Sequence, residues 1–350
     1  MGEQMGLIIE TDRLSRAFGD HPAVDGLALA IAPGEIFGLL GPNGAGKTTT
    51  IRMLSTLLPP SGGTARVCGF DVVRAAGEVR RRIGYVPQQV SPMGHYLLTG
   101  REKAEIEAAL YHVPRRRLKA RVGEVLELVG LTESAGRLVQ EYSGGMQKRL
   151  ELACGLLHEP ELLILDEPTL GLDVWSRHHM WDHIRSLCDE GMTVLLATNY
   201  MDEADRLCDR LAIIDHGRQV AGGTPAGLKA ALLAILVAAG LLTLALTATA
   251  MALACAVPSH GTFFAITGFA SLPLLFMSNA FVPLSAMLGW MEAVARLNPL
   301  TYAIEAMRLL VLQGWSGGVP VSLAALVLAS ALLLTVGAWQ FARQTSHRVT

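Results

Sequence analysis

Charge almost stops two thirds of the way along this chain. Of its 60 Asp, Glu, Lys and Arg residues, six lie beyond Lys229: Glu292, Arg296, Glu305, Arg308, Arg343 and Arg348. Residues 230–257, 262–283 and 319–342 carry none. Each stretch exceeds the ~20 apolar residues a helix needs to cross hydrocarbon. Covering three such stretches inside a soluble domain would take far more chain. The 51% hydrophobic fraction therefore averages two unlike parts. Residues 1–228 have the charge density of a globular domain. Residues 229–350 are expected to form a partial, all-α transmembrane region of about three spans. Residues 284–315 are apolar but hold Glu292/Arg296 and Glu305/Arg308 at helical spacing. Asn298-Pro299 breaks that stretch. Trp290, Tyr302 and Trp315 suit a membrane–water boundary, so two short interfacial helices are expected there.

The first part narrows differently. A formal net charge of −2 disfavours a nucleic-acid binder driven by bulk charge. Five cysteines with no C-x-x-C spacing argue against a disulfide framework or a zinc site. The first ten residues have neither a basic segment nor a long apolar run, so no signal peptide is expected and this part should be cytoplasmic. Short apolar runs fill residues 7–40, and buried strands are expected at 162–165, 193–197 and 211–214. Helical stretches at 47–58 and 101–130 intervene. Strands separated by helices predict an α/β domain with a largely parallel sheet.

Between the apolar run Ile36-Phe37-Gly38-Leu39-Leu40 and the next helix stand Gly41, Pro42, Asn43, Gly44, Ala45, Gly46, Lys47, Thr48 and Thr49. They satisfy G-x-x-x-x-G-K-[ST] in the strand–loop–helix context of a P-loop. Its glycines let backbone N–H groups face a polyphosphate, and the helix N-terminus adds a positive dipole end. Lys47 is expected at the β- and γ-phosphates and Thr48 on Mg²⁺. Some 120 residues later, Leu162-Leu163-Ile164-Leu165-Asp166-Glu167 ends a buried strand in two carboxylates. The first suits a Mg²⁺ ion, and the second can polarise an attacking water as general base.

Tyr142-Ser143-Gly144-Gly145-Met146-Gln147 precedes that strand. It resembles the signature loop of ATP-binding cassette (ABC) ATPases, with Met146 where glutamine is commoner. Residues 1–228 thus resemble an ABC nucleotide-binding domain, a P-loop NTPase fold with a helical subdomain at about 88–155. The resemblance implies further roles. Phe18 lies where adenine stacks. Gln88, after Gly84-Tyr85-Val86-Pro87, matches the Q-loop glutamine that links γ-phosphate and Mg²⁺ to the transmembrane partner. Asp173 matches the D-loop that crosses the dimer interface. Ser143, Gly144, Gly145 and Met146 would face the ATP of a second nucleotide-binding domain. Asn199 takes the place of the family's usual switch histidine. Its amide can donate a hydrogen bond but cannot carry a proton between groups, so hydrolysis slower than with histidine is expected.

Residues 276–308 resemble the last part of the permeases of drug-resistance and nodulation-factor exporters. The resemblance implies an ATP- and Mg-dependent exporter subunit in the cell membrane, moving an amphipathic drug-like or lipid-linked compound. Such permeases have six spans, and nothing here corresponds to the coupling helix between their second and third. A separate permease chain is therefore expected. The alternative is a membrane-tethered ATP-binding regulatory or scaffold protein, or a truncated fusion, that does not transport by itself. Three spans also set a parity problem. If residues 230–257 leave the cytoplasm and 262–283 return, then 284–315 face inward. Arg343 and Arg348 end outside, against the positive-inside tendency.

Overall fold

The computed structural model describes residues 6–88, 97–257, 259–312, 315 and 317–348. It divides into two compact units, Met1–Pro225 and Ala226–Thr350, splitting a few residues before the change in composition.

The first unit opens with three strands, β1 (Ile9–Phe18), β2 (His21–Leu27) and β3 (Ala30–Ile31). There follow β4 (Ile36–Leu40), α1 (Lys47–Leu54), β5 (Gly62–Val67), β6 (Phe70–Asp71), α2 (Ala76–Arg82) and β7 (Ile83–Val86). A helical stretch holds α3 (Gly100–Leu110), α4 (Arg115–Leu128) and α5 (Gly144–Leu156). The unit closes with β8 (Leu162–Asp166), α6 (Val174–Asp189), β9 (Thr193–Thr198), α7 (Met201–Leu207), β10 (Arg210–Asp215) and β11 (Arg218–Gly223).

Two sheets share these strands. One runs β11-β10-β4-β9-β8-β7, parallel except at the β10/β11 hairpin. β4, β8 and β9 are buried along their whole length, which is why they read as unbroken apolar runs. The second sheet, β2-β1-β5-β6 with β3 on β1, is antiparallel. It packs its apolar side into the same core through Ile9, Leu14, Leu27, Ile31 and Val67. Register shifts in β1 at Leu14–Ala17 and Asp12–Ser15 hide its alternation from a period-two reading.

Two helical expectations change. The helix from Lys47 stops at Leu54, with Thr56 at φ 64°. The expected helix over 101–130 is two helices parted at Tyr111–Pro114, where His112 has φ 59° and Pro114 caps α4.

The second unit is helical: α8 (Pro225–Ala256), α9 (His260–Phe276), α10 (Gly289–Leu297), α11 (Pro299–Leu312) and α12 (Gly318–Arg348). Among the described residues, α8 and α12 are long and apolar enough to cross a membrane. The stretch 262–283 is not one span-length helix. α9 has 17 residues, about 25 Å against a hydrocarbon core of about 30 Å. Polar side chains end it. Ser278 Oγ donates to the Leu275 carbonyl at 2.7 Å, and Asn298 Nδ2 to the Leu274 carbonyl at 2.7 Å. The break expected at Asn298-Pro299 separates α10 from α11, and the Asn298 carboxamide accepts from the Leu300 N–H. α8 presents buried Ala231, Ala234, Ala238, Ala245 and Ala248, a small-residue face that admits close helix approach. Ala231 and Ala234 cluster with Leu310 and Val319, and Ala238 with Ala303 and Leu326. Ser330 Oγ donates to the Leu241 carbonyl at 3.0 Å.

Candidate functional site

The parallel sheet delivers three polar segments to one edge. Leu40 pairs with Thr198 and Asp166 with Ala197, so Gly41, Glu167 and Asn199 leave the C-terminal ends of β4, β8 and β9 side by side. Open parallel sheets bind ligands at that edge.

The loop from Gly41 to Gly46 is shaped by close approach. A Cβ on Gly41 would lie 2.2 Å from the Ile214 carbonyl oxygen. Gly46, at φ 104°, would place one 2.4 Å from that of Ala23. Pro42, Asn43 and Gly44 are exposed, Ala45 and Gly46 buried. Lys47 opens α1 with its side chain 4% exposed, and its ammonium donates to the Gly41 and Pro42 carbonyls at 2.8 and 3.1 Å. Thr49 follows, half-buried.

Glu167 reaches that ammonium, and Gln88, Thr48 and Asp166 lie in contacts beside it. Glu167 Oε1 lies 3.6 Å from Lys47 Nζ, with Glu167 5% exposed. Gln88 Nε2 donates to Glu167 Oε2 at 2.8 Å. Thr48 Oγ1 donates to Asp166 Oδ1 at 3.3 Å. Asp166 Oδ2 is buried without a hydrogen-bond partner. Burial pushes the Asp166 carboxyl upward, and the Thr48 hydrogen bond partly offsets this. An orphaned carboxylate oxygen beside a hydroxyl is a hard-cation donor set, so Thr48 and Asp166 fit a divalent ion, with Gln88 close by. Glu167 itself sits at φ 49°, rare for a residue with a Cβ. Its N–H is held by the Ala197 carbonyl at 2.9 Å. Such strain persists where the surroundings fix it, and it aims the carboxylate back over the loop.

The remaining predicted residues lie at different distances from this centre. Asn199 follows β9, half-buried, with Oδ1 unpartnered. Phe18 ends β1 with half its surface exposed, and the Arg16 guanidinium lies 4.9 Å from its ring centroid. Ser143 caps α5 by accepting from the Met146 N–H at 3.2 Å. Ser143 and Gly144 are exposed, Met146 half-buried and Gly145 buried. Asp173 caps α6 by accepting from the Ser176 N–H and hydroxyl at 2.9 and 2.8 Å, which lowers its carboxyl below the usual range. Gly145 lies under Ser176, so the two capped helix starts touch. Ser143 and Asp173 thus present exposed polar groups that no described contact joins to Lys47.

Two neighbouring groups carry no motif in the sequence. Lys148, on α5, donates to the Pro87 and Gln88 carbonyls. Glu203, on α7, accepts from Thr169 Oγ1 at 2.9 Å and Trp181 Nε1 at 3.0 Å. Neither spacing nor residue type distinguishes them from surface charges. Only their burial does.

Comparison with known proteins agrees with this geometry. Residues 24–170 match the family described as ABC transporter, and residues 221–312 the family described as ABC-2 type transporter. The chain is 49% identical over 222 residues to the daunorubicin resistance ATP-binding protein DrrA3 of Streptomyces coeruleorubidus, covering 63% of this chain and 70% of that one. It is 45% identical over 224 residues to the Nod factor export ATP-binding protein I of Paraburkholderia xenovorans, covering 63% and 72%. Among solved structures, cbiO1 of Clostridium perfringens, part of the ABC transporter complex cbiONQ, superposes with TM-score 0.60 at 26% identity, covering 64% and 91%.

Proposed function

Because this chain belongs to the ABC transporter family, its first unit being an ATPase of that type and its second carrying an ABC-2 membrane domain, we propose that it couples ATP hydrolysis to efflux of an amphipathic compound. The cargo class rests on the relatives' names, resistance to daunorubicin and export of Nod factor. The observation that carries the reading is the set of buried Lys47, Asp166 and Glu167 with half-buried Thr48 and Gln88 at one sheet edge.

Each group has a task there. The loop N–H groups and the α1 N-terminus receive the phosphate chain, with Phe18 as the platform for the base. On ATP binding, the Lys47 ammonium exchanges Glu167 and the loop carbonyls for phosphate oxygens. Thr48, Asp166 and Gln88 would hold Mg²⁺, which would supply charge neutralisation for the transferred phosphoryl group. Glu167, freed from Lys47, accepts the proton of the attacking water. Asn199 supplies a neutral hydrogen bond where a histidine could carry charge, so turnover is slower than with histidine. Ser143, Gly144 and Asp173 stand apart from this centre, so each site is completed across a dimer by a second nucleotide-binding domain. The ATPase lies on the cytoplasmic side of the cell membrane, and a separate permease chain supplies the rest of the path.

The test uses the full chain in lipid nanodiscs. Glu167→Gln should keep ATP affinity and lose turnover by about 100-fold or more, as expected for a general base. Lys47→Ala should lose ATP binding. A Glu167→Gln protein as active as the parent would overturn the hydrolytic reading. Cargo-stimulated turnover in proteoliposomes separates a transporter from a tethered ATP-binding scaffold, which would show none.

A further inference from the structure

Gln88 is gripped at both ends. Its side-chain amide donates to Glu167 Oε2 at 2.8 Å, inside the nucleotide-facing cluster. Its backbone carbonyl accepts from the Lys148 ammonium at 2.5 Å, and the Pro87 carbonyl lies 3.4 Å from the same nitrogen. Lys148 belongs to α5, the helix whose first turn carries Ser143 and Gly144. It is 7% exposed, an unusual place for a lysine without a carboxylate of its own. Burial pushes its ammonium downward, while Glu151, Asp166 and Glu167 hold it up by charge. Glu151, one turn along α5, is anchored to the buried Lys103 of α3. Polar contacts thus tie α5 to α3 through Lys103 and Glu151, and to Glu167 and Lys47 through Lys148 and Gln88.

A lysine that only filled space would place its stem among apolar atoms and its head in water. This one spends its charge on two backbone carbonyls of the segment that carries Gln88. We propose that Lys148 is a positioning residue. It locks the start of α5 to Gln88, and through Gln88 to Glu167, so that the face offered to a second copy and the hydrolytic carboxylate move as one body. This rests on the ATPase reading above.

The full chain in nanodiscs tests it by two routes. In turnover, Lys148→Met keeps the stem and removes the charge. It should lower kcat by about tenfold while KM for ATP stays within about twofold, because a misplaced group costs rate without costing ground-state binding. Lys148→Arg should restore kcat to within about threefold, since a charged donor returns. Lys148→Met added to Gln88→Ala should cost nothing further, as for two members of one linkage. The second route needs no hydrolysis. In the Glu167→Gln background, amide exchange on adding ATP should slow in both 83–88 and 143–156. With Lys148→Met it should slow in 83–88 alone. An unchanged kcat, a rise in KM matching the fall in kcat, additive losses with Gln88→Ala, or joint protection surviving Lys148→Met would each overturn the proposal. A parent no more active than Glu167→Gln would overturn the hydrolytic reading instead, leaving the exchange result to decide on Lys148.

Discussion

Asn199 stands one residue past Thr198 with a buried, unpartnered amide oxygen. Turned over, so that its NH2 takes the place of that oxygen, the carboxamide can donate to a phosphate oxygen but offers no charge. A hydrogen bond from a charged donor exceeds a neutral one by about 1 kcal/mol, or about three- to tenfold in rate. Asn199→His should therefore raise ATP turnover by that factor, and steady-state ATPase of the two proteins measures it; an equal or lower rate refutes the deficit. Glu203 makes a different kind of prediction. Burial drives its carboxyl above the ordinary range, with hydrogen bonds from Trp181 and Thr169 opposing part of the shift. The folded chain then holds that proton more tightly than the unfolded chain. The stability it lends is complete below the ordinary carboxylate value and drains as pH rises through the folded value. Glu203→Gln keeps an acceptor for Thr169 and Trp181 and never ionises. Its Tm for the first unit should match the parent near pH 4 and exceed it at pH 8, by about 2–4 °C per kcal/mol. Thermal scans across that range check it, and parallel pH profiles would show that Glu203 is ionised in the fold.

At the scale of elements, the starts of α5 and α6 are one joint. Asp173 holds Ser176 by two hydrogen bonds, and Ser176 lies over Gly145. A Cβ on Gly145 would fall 2.8 Å from Ser176 Oγ and 3.1 Å from its Cβ. Gly145→Ala must push Ser176 off Asp173, at a cost of about 1 kcal/mol for a lost cap. If the displaced groups face a second copy, as proposed above, turnover should fall more than stability does. ATPase and denaturant midpoints on the same protein compare the two, and a variant with parental turnover would break the link between joint and activity. Neither half of this joint was legible as a joint. Ser143 and Asp173 were found through their motifs, but their adjacency depends on how α5 and α6 cross. β4, the loop at Gly41 and α1 were legible because strand, motif and helix are contiguous. The antiparallel sheet was not, because β1 pairs with β5 some fifty residues on and its bulges erase the alternation. Lys148 and Glu203 were invisible for the same cause. A buried charge differs from a surface charge only through elements distant in sequence.

At the scale of the whole molecule, the length of α9 bears on the parity of the membrane unit. Three full spans would leave Arg343 and Arg348 outside, against the bias that keeps basic residues on the cytoplasmic side. With α8 and α12 crossing and α9 too short to do so, that conflict disappears. That arrangement would put the segment from α9 to α11 at the outer surface and return the basic end of α12 to the cytoplasm. Asn298, between α10 and α11, bonds back to Leu274 of α9, and Arg308 of α11 bonds to the Asn279 carbonyl just past α9. Glu292 and Arg296 pair on α10 as expected at a wet boundary. Single cysteines at Trp290 and at Arg343, in a chain with its five native cysteines replaced, report the two sides. In intact cells or inside-in spheroplasts, Trp290→Cys should react with a membrane-impermeant maleimide and Arg343→Cys should not. After permeabilisation both should react. The reverse pattern, Arg343→Cys labelled from outside and Trp290→Cys protected, would mean that α9 crosses after all. The bilayer would then have to thin by about 5 Å around a 17-residue helix, at a cost of fractions of a kcal/mol per Å. That cost is small enough for the basic tail, worth about 1 kcal/mol per charge near an anionic surface, to decide the outcome. Replacing Arg343 and Arg348 with glutamine should therefore raise labelling of a cysteine placed at Gln340 from the outside.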